Sequence, residues 1–156
     1  MRRILLTGMS GVGKSTVATR LNELGYKAVD TSYGGFSMVD ENGYQRWDLD
    51  RIRQLLTEQD ADILFVAGTD EQQGLLYPEF DDVILLNAPR DVLVERLAAR
   101  RNNPFGKRPE ELAKILSDLA TYEPMIRLSA THEIDTNKPL DRVIDEILSV
   151  ALPDQT

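Results

Sequence analysis

The sequence predicts an α/β fold, a parallel sheet covered by helices on both faces. Short, almost wholly apolar runs alternate with stretches of helical periodicity, as expected for strands buried on both sides. The glycine-bearing and polar residues follow the C-terminal ends of those runs, where open α/β sheets place their ligand sites. A chain of 156 residues suits one domain with a buried core, so residues 1–156 are expected to form a single domain.

Ile4 to Thr7 reads as a buried strand stopped by Gly8. From Lys14 the pattern turns helical, with Val17, Leu21 and Leu24 on one face and Gly25 as the stop. "YKAVD" (26–30) predicts a second strand that ends on an acid, and residues 31–47 predict a loop. A helix is expected over 47–56, with Asp48 as its cap and Ile52, Leu55 and Leu56 facing inward. "DILFVAG" (62–68) and "DDVILLNAP" (81–89) are strongly apolar strands, the second followed by a helix carrying Leu93, Arg96, Leu97 and Arg100. Asparagines, prolines and a glycine break the pattern over 101–109. Helix resumes at Pro109, where proline suits the first turn and Glu110 and Glu111 suit the dipole. "HEIDT" (132–136) is the last strand and Leu140 to Leu148 the last helix.

Gly8-Met9-Ser10-Gly11-Val12-Gly13-Lys14-Ser15 fits G-x-x-x-x-G-K-[ST] without a gap, between a strand and a helix. Gly8, Gly11 and Gly13 let backbone amides, including those of Ser10 and Val12, approach phosphate oxygens, and the following helix points its positive end at them. Lys14 reaches the β- and γ-phosphates, Ser15 offers its hydroxyl to Mg²⁺, and Thr16 supports the loop or the α-phosphate. The expected ligand is ATP with Mg²⁺. A dinucleotide fingerprint fits poorly, because Ser10 stands where its second glycine would be.

Asp30 ends the second strand beside this loop. Its carboxylate is positioned to accept the proton of an acceptor hydroxyl or to hold Mg²⁺, the alternative being a cap on nearby backbone. In "AGTDEQQG" (67–74), Gly68 and Thr69 allow close approach of an acceptor and Gln73 can bind one. Asp70 competes with Asp30 as the acid on the metal side. The stretch 96–108 gathers Arg96, Arg100, Arg101, Lys107 and Arg108. Arg100, on one helical face with Arg96, and Arg108, on a loop over about 101–110, are candidates to close over the γ-phosphate and stabilise charge in transfer. Arg46 can recognise an anionic acceptor or form a surface ion pair. Asn137 and Pro139, in the turn after the last strand, are candidates to border the adenine. His132, the only histidine, is read as structural.

The net charge of −8 argues against a broad nucleic-acid surface. No stretch approaches the ~20 apolar residues of a membrane span. The apolar run of the N-terminus is too short for a signal peptide, and cysteine is absent, so a cytoplasmic location is expected. The partners expected are a nucleotide and a small-molecule acceptor, in a monomer or weak homodimer.

With "ILLTGMSGVGKST", "VERLAARRNNPFGKRPEE", "WDLDRI" and "PMIRLSATHEIDTNKPLDRVIDEIL", the whole chain resembles the small P-loop kinases of the nucleoside-monophosphate-kinase superfamily, particularly shikimate kinases and the adenylate kinase 6 type. The resemblance implies a P-loop NTPase three-layer α/β/α fold, a five-stranded parallel sheet in order 2-3-1-4-5, and a short lid whose arginines contact ATP. It departs at three places. Tyr122 stands where shikimate kinases carry an arginine, Ala67-Gly68-Thr69 replaces a glycine triplet, and Asp30-Thr31-Ser32 keeps only the first acid of D-x-D. The acceptor is left open. Transfer to a small-molecule hydroxyl leads, and a nucleoside-monophosphate kinase, a nucleotide-dependent ATPase or switch, and a nucleotide-binding module without turnover are the alternatives.

Overall fold

The structure, a computed structural model, describes residues 1–99 and 107–152. Arg100 and residues 101–106, and with them most of the predicted lid, lie outside the described residues.

The main sheet is built from β1 (Arg2–Thr7), β2 (Lys27–Asp30), β5 (Ile63–Ala67), β6 (Asp82–Asn87) and β7 (His132–Asp135), with every pairing parallel. Their order across the sheet is β2-β5-β1-β6-β7, which is the expected 2-3-1-4-5 when only these strands are counted in chain order. The register pairs Leu6 and Asp30 with Ala67, and Thr7 with Leu85, so the C-terminal ends of the strands share one edge. Among the described residues, five α-helices complete the layers: α1 (Lys14–Glu23), α2 (Leu49–Thr57), α3 (Arg90–Ala99), α4 (Pro109–Ser129) and α5 (Leu140–Ala151).

Alternation along the strands divides the core. Ile4, Leu6, Phe65, Ile84 and Leu86 face a layer formed by Val17 and Leu21 of α1, Leu93 of α3, and Val143, Ile144 and Ile147 of α5. Leu5, Leu64, Val66 and Val83 face the opposite layer, with Ile52, Leu55 and Leu56 of α2 and Leu76 and Phe80. Leu85 meets Ile126 of α4 on that second side. Burying each such side chain contributes about 1.5–3 kcal/mol relative to exposure, which outweighs helix propensity in fixing these elements. Asp48 caps α2, its side chain accepting from the Arg51 amide. Among the described residues, no helix is long and apolar enough to cross a membrane.

Three expectations are corrected. Residues 31–47 are not all loop, because β3 (Ser37–Val39) and β4 (Gln45–Trp47) form an antiparallel hairpin. Its strands are too short to show alternation, although Asn42-Gly43 at its turn is a recognised hairpin signal. Trp47 ends β4 instead of opening a helix. Leu24 leaves the apolar face of α1, serving as its C-cap and standing 46% exposed.

Candidate active site

The turn between β1 and α1 runs close over β6. Gly8 has φ +153°, and a Cβ there would lie 2.3 Å from the Leu86 carbonyl oxygen, so only glycine fits. Gly13 caps α1 without a side-chain bond, which leaves the helix start open to an anion. Lys14 Nζ donates to the Gly8 carbonyl and, at 3.1 Å, to that of Met9, holding the ammonium over the loop. Val12 is fully buried, so its side chain anchors the loop while its backbone remains in it. Ser10 and Gly11 are half-buried, and Thr16 is exposed.

The decisive contact joins the first turn of α1 to the C-terminal end of β2. Ser15 Oγ donates to Asp30 Oδ2 at 2.6 Å, and Asp30 Oδ1 accepts the Ser32 amide at 2.9 Å. Asp30 therefore caps local backbone and also reaches the phosphate loop. The parallel register of β2, β5 and β1 carries it there.

The residues after β5 buttress the loop from below. The Gly8 amide donates to Thr69 Oγ1 at 3.2 Å, and that hydroxyl donates back to the Gly8 carbonyl. Thr7 Oγ1 donates to Gln73 Oε1 at 3.2 Å, which also accepts the Asp70 amide, and Gln73 Nε2 donates to the Tyr77 hydroxyl. Gln73 is buried and its amide is engaged at both ends, so the structure turns it inward, away from an acceptor. Gly68 is packed against Thr31, whose Oγ1 would lie 2.0 Å from a Cβ. The same Oγ1 accepts the Trp47 indole N–H at 2.9 Å, and Asp70 Oδ1 accepts the Trp47 amide at 3.0 Å. Asp70 thus fastens the hairpin to β5, which leaves Asp30 as the acid at the loop.

Arg96 is the residue whose position sequence reasoning understated. Its guanidinium donates to the Gly11 and Val12 carbonyls at 3.2 and 3.3 Å, and to Thr136 Oγ1 and O at 2.9 and 2.8 Å. It holds two carbonyls of the phosphate loop against the turn after β7. The basic run 96–108 was the available signal; the direction of the side chain was not. Arg96→Met is expected to weaken ATP and inorganic tripolyphosphate about tenfold alike, measured by calorimetry, because the brace acts through the loop. Unchanged affinity in a folded variant would contradict that role.

Asn137 and Pro139 are exposed in that turn, the Asn137 amide bonded to Asp135 Oδ1 and Pro139 capping α5. Arg108 is exposed at the N-cap of α4, with Lys107 before it. Arg46 meets Asp40 Oδ2 and Glu71 Oε2 at 3.0 Å each, and hydrogen bonding to Asp40, then to Glu71, raises its pKa.

A family model described as the AAA domain matches residues 4–117, which contain the phosphate loop, Asp30 and Arg96. The chain belongs to the AAA domain family. Within it, the relatives of this AAA-domain chain place it among the small P-loop kinases. It is 28% identical to shikimate kinase 2 of Yersinia enterocolitica, over 94% of each chain. It is also 28% identical to a putative adenylate kinase of Archaeoglobus fulgidus, over 97% of this chain and 83% of the relative. A solved shikimate kinase of Acinetobacter baumannii, in complex with shikimate, superposes with a TM-score of 0.70 at 20% identity, covering 99% of this chain and 95% of that one. That last likeness concerns the fold.

Proposed function

We propose that the protein is a phosphotransferase that moves the γ-phosphoryl group of ATP to a hydroxyl of a small-molecule acceptor. The observation that carries this reading is the Ser15–Asp30 contact. It puts a carboxylate at the mouth of a phosphate loop, where a transfer enzyme needs one. The loop amides and Lys14 hold the β- and γ-phosphates, and Arg108, with Arg100 as the further candidate from the sequence, adds positive charge at the transferred group. The bond from the acceptor oxygen to the γ-phosphorus forms as the bond to the β-bridging oxygen breaks, and the hydroxyl proton passes to Asp30 as ADP leaves.

The donor set fits Mg²⁺. Ser15 Oγ and Asp30 Oδ2 are hard oxygen donors side by side, and Mg²⁺ characteristically takes one or two protein oxygens besides phosphates and water. Among the described residues, no group of three or more His, Asp or Glu forms a dedicated metal cage. When bound, Mg²⁺ would neutralise phosphate charge. A nucleotide acceptor is less well supported, because Arg46, the cation for its phosphate, is already paired with Asp40 and Glu71.

The test is ADP formation from ATP and Mg²⁺ with and without hydroxylated acceptors. Low basal turnover that rises sharply with an acceptor is expected. Turnover that no acceptor stimulates would indicate an ATPase or switch, and binding without ADP would leave a nucleotide-binding module.

A further inference from the structure

β2 is an edge strand of the main sheet, bonded to β5 on one side only. It ends at Asp30, and after Thr31 the chain runs exposed from Ser32 to Gly35. A carboxylate at the end of an edge strand, next to an exposed loop, needs more than the ladder to hold its direction. Thr31 is where the chain is tied down. It is 2% exposed, and its backbone and hydroxyl are engaged on three sides. Its amide donates to the Ala67 carbonyl at 2.9 Å, its carbonyl accepts the Ser37 hydroxyl at 2.6 Å, and its Oγ1 accepts the Trp47 indole N–H at 2.9 Å.

Trp47 ties together the segments that follow β2 and β5. While its indole holds Thr31, its amide donates to Asp70 Oδ1 at 3.0 Å, beyond the end of β5. Its ring is buried in the apolar layer of Leu5, Leu64, Val66, Ile52 and Leu55, so packing fixes the indole as well. The contact with Thr31 also depends on Gly68. A Cβ there would stand 2.0 Å from Thr31 Oγ1, so a side chain at 68 would push the hydroxyl away from the indole. Neither bond of Trp47 involves the phosphate loop.

We infer that Trp47, the one tryptophan of the chain, is a positioning residue for Asp30 and acts through the Thr31 hydroxyl. The inference rests on the phosphotransferase reading, in which Asp30 receives the acceptor proton and meets Mg²⁺ with Ser15. With Thr31 held on three sides, the peptide that joins it to Asp30 is fixed. The Asp30 side chain then leaves a fixed backbone toward Ser15 Oγ. A buried tryptophan N–H usually finds a partner for stability alone. Here the partner is the residue that follows the carboxylate, so stability and aim are separated by experiment.

The variants are Thr31→Val, Trp47→Phe, Asp30→Asn, the pair Thr31→Val/Asp30→Asn, and Val83→Ala. Valine keeps the β-branched shape and removes only the hydroxyl. Val83 lies in the same apolar layer, on β6, and its truncation is the control for lost stability. Two readouts are taken below the melting temperature of every variant. One is the Mg²⁺ dissociation constant of the complex with a non-hydrolysable ATP analogue, by calorimetry, and the other is kcat for ADP formation. Thr31→Val and Trp47→Phe are each expected to weaken Mg²⁺ binding and lower kcat about tenfold, the lower end of what removing a group that orients a ligating side chain costs. Affinity for the analogue without Mg²⁺ should not change. Thr31→Val should add nothing to Asp30→Asn, since its effect passes through that carboxylate. Val83→Ala should lower the melting temperature and change neither readout. Additive effects of Thr31→Val and Asp30→Asn, or the same shifts from Val83→Ala, would overturn the role of Trp47. Wild-type values in Thr31→Val and Trp47→Phe, with the loss still present in Asp30→Asn, would overturn it too and leave the transfer reading standing. If Asp30→Asn itself moves neither readout, the reading of the carboxylate falls and the inference falls with it.

Discussion

Lys14→Ala is expected to reduce kcat for phosphoryl transfer by about 10²–10³-fold, the usual cost of removing one aimed charge donor from a reacting centre. The reasoning starts from position. The ammonium is carried at the first residue of α1 and held by the carbonyls of Gly8 and Met9, so it stands over the concave side of the loop before any ligand arrives. Pre-placement means that little reorganisation accompanies charge development on the γ-phosphoryl oxygens. Alanine keeps the helix, since it is the best helix former, and Lys14 belongs to no apolar cluster, so the melting temperature should move little. Nucleotide affinity should fall as well, because the same charge serves the ground state. Steady-state transfer assays with a thermal melt as control provide the check. A folded variant with wild-type rate would remove the loop from the chemistry.

The strands of the sheet are nearly unbroken apolar runs, and that pattern survives folding because both faces of a parallel sheet are buried. β1, β5 and β6 therefore appear within a residue or two of their expected bounds. The hairpin was invisible for the opposite reason. Met38 and Val39 are exposed apolar residues, Gln45 and Arg46 are polar, and Trp47 is the one buried residue of the two three-residue strands, too few positions to write a period into the sequence. At the site, the phosphate loop is legible because its geometry demands particular glycines in a row. Asp30 is legible because strand C-termini collect at one edge. The partners of Gln73 and Arg96 were not, because a polar side chain near a cleft can point to ligand or to backbone, and only packing decides. Gln73 turns under Thr7, and Arg96 turns to the loop carbonyls. Both support the site from behind.

Asp30→Asn separates the two tasks assigned to that carboxylate. Asparagine is nearly the same size and keeps one oxygen to accept from Ser15 or from the Ser32 amide, so one of the two accepted bonds is lost, and a thermal melt checks that the fold around β2 persists. What disappears is the negative charge. If Asp30 receives the hydroxyl proton, kcat should fall about 10²–10⁴-fold, the range attributable to a positioned general base. If it also holds Mg²⁺ with Ser15, the Mg²⁺ concentration giving half-maximal rate should rise in the same variant, while the affinity for ATP measured without Mg²⁺ stays unchanged. We expect both effects, because one carboxylate oxygen meets the phosphate-loop serine while Asp30 itself opens the segment that leads to the hairpin. A fall in kcat with an unshifted Mg²⁺ midpoint would assign Asp30 to the proton alone. A shifted midpoint, with the full rate restored at saturating Mg²⁺, would assign it to the metal alone. The acceptor proton would then need another receiver, and Asp70, tied to Trp47 and Gln72, is poorly placed to serve.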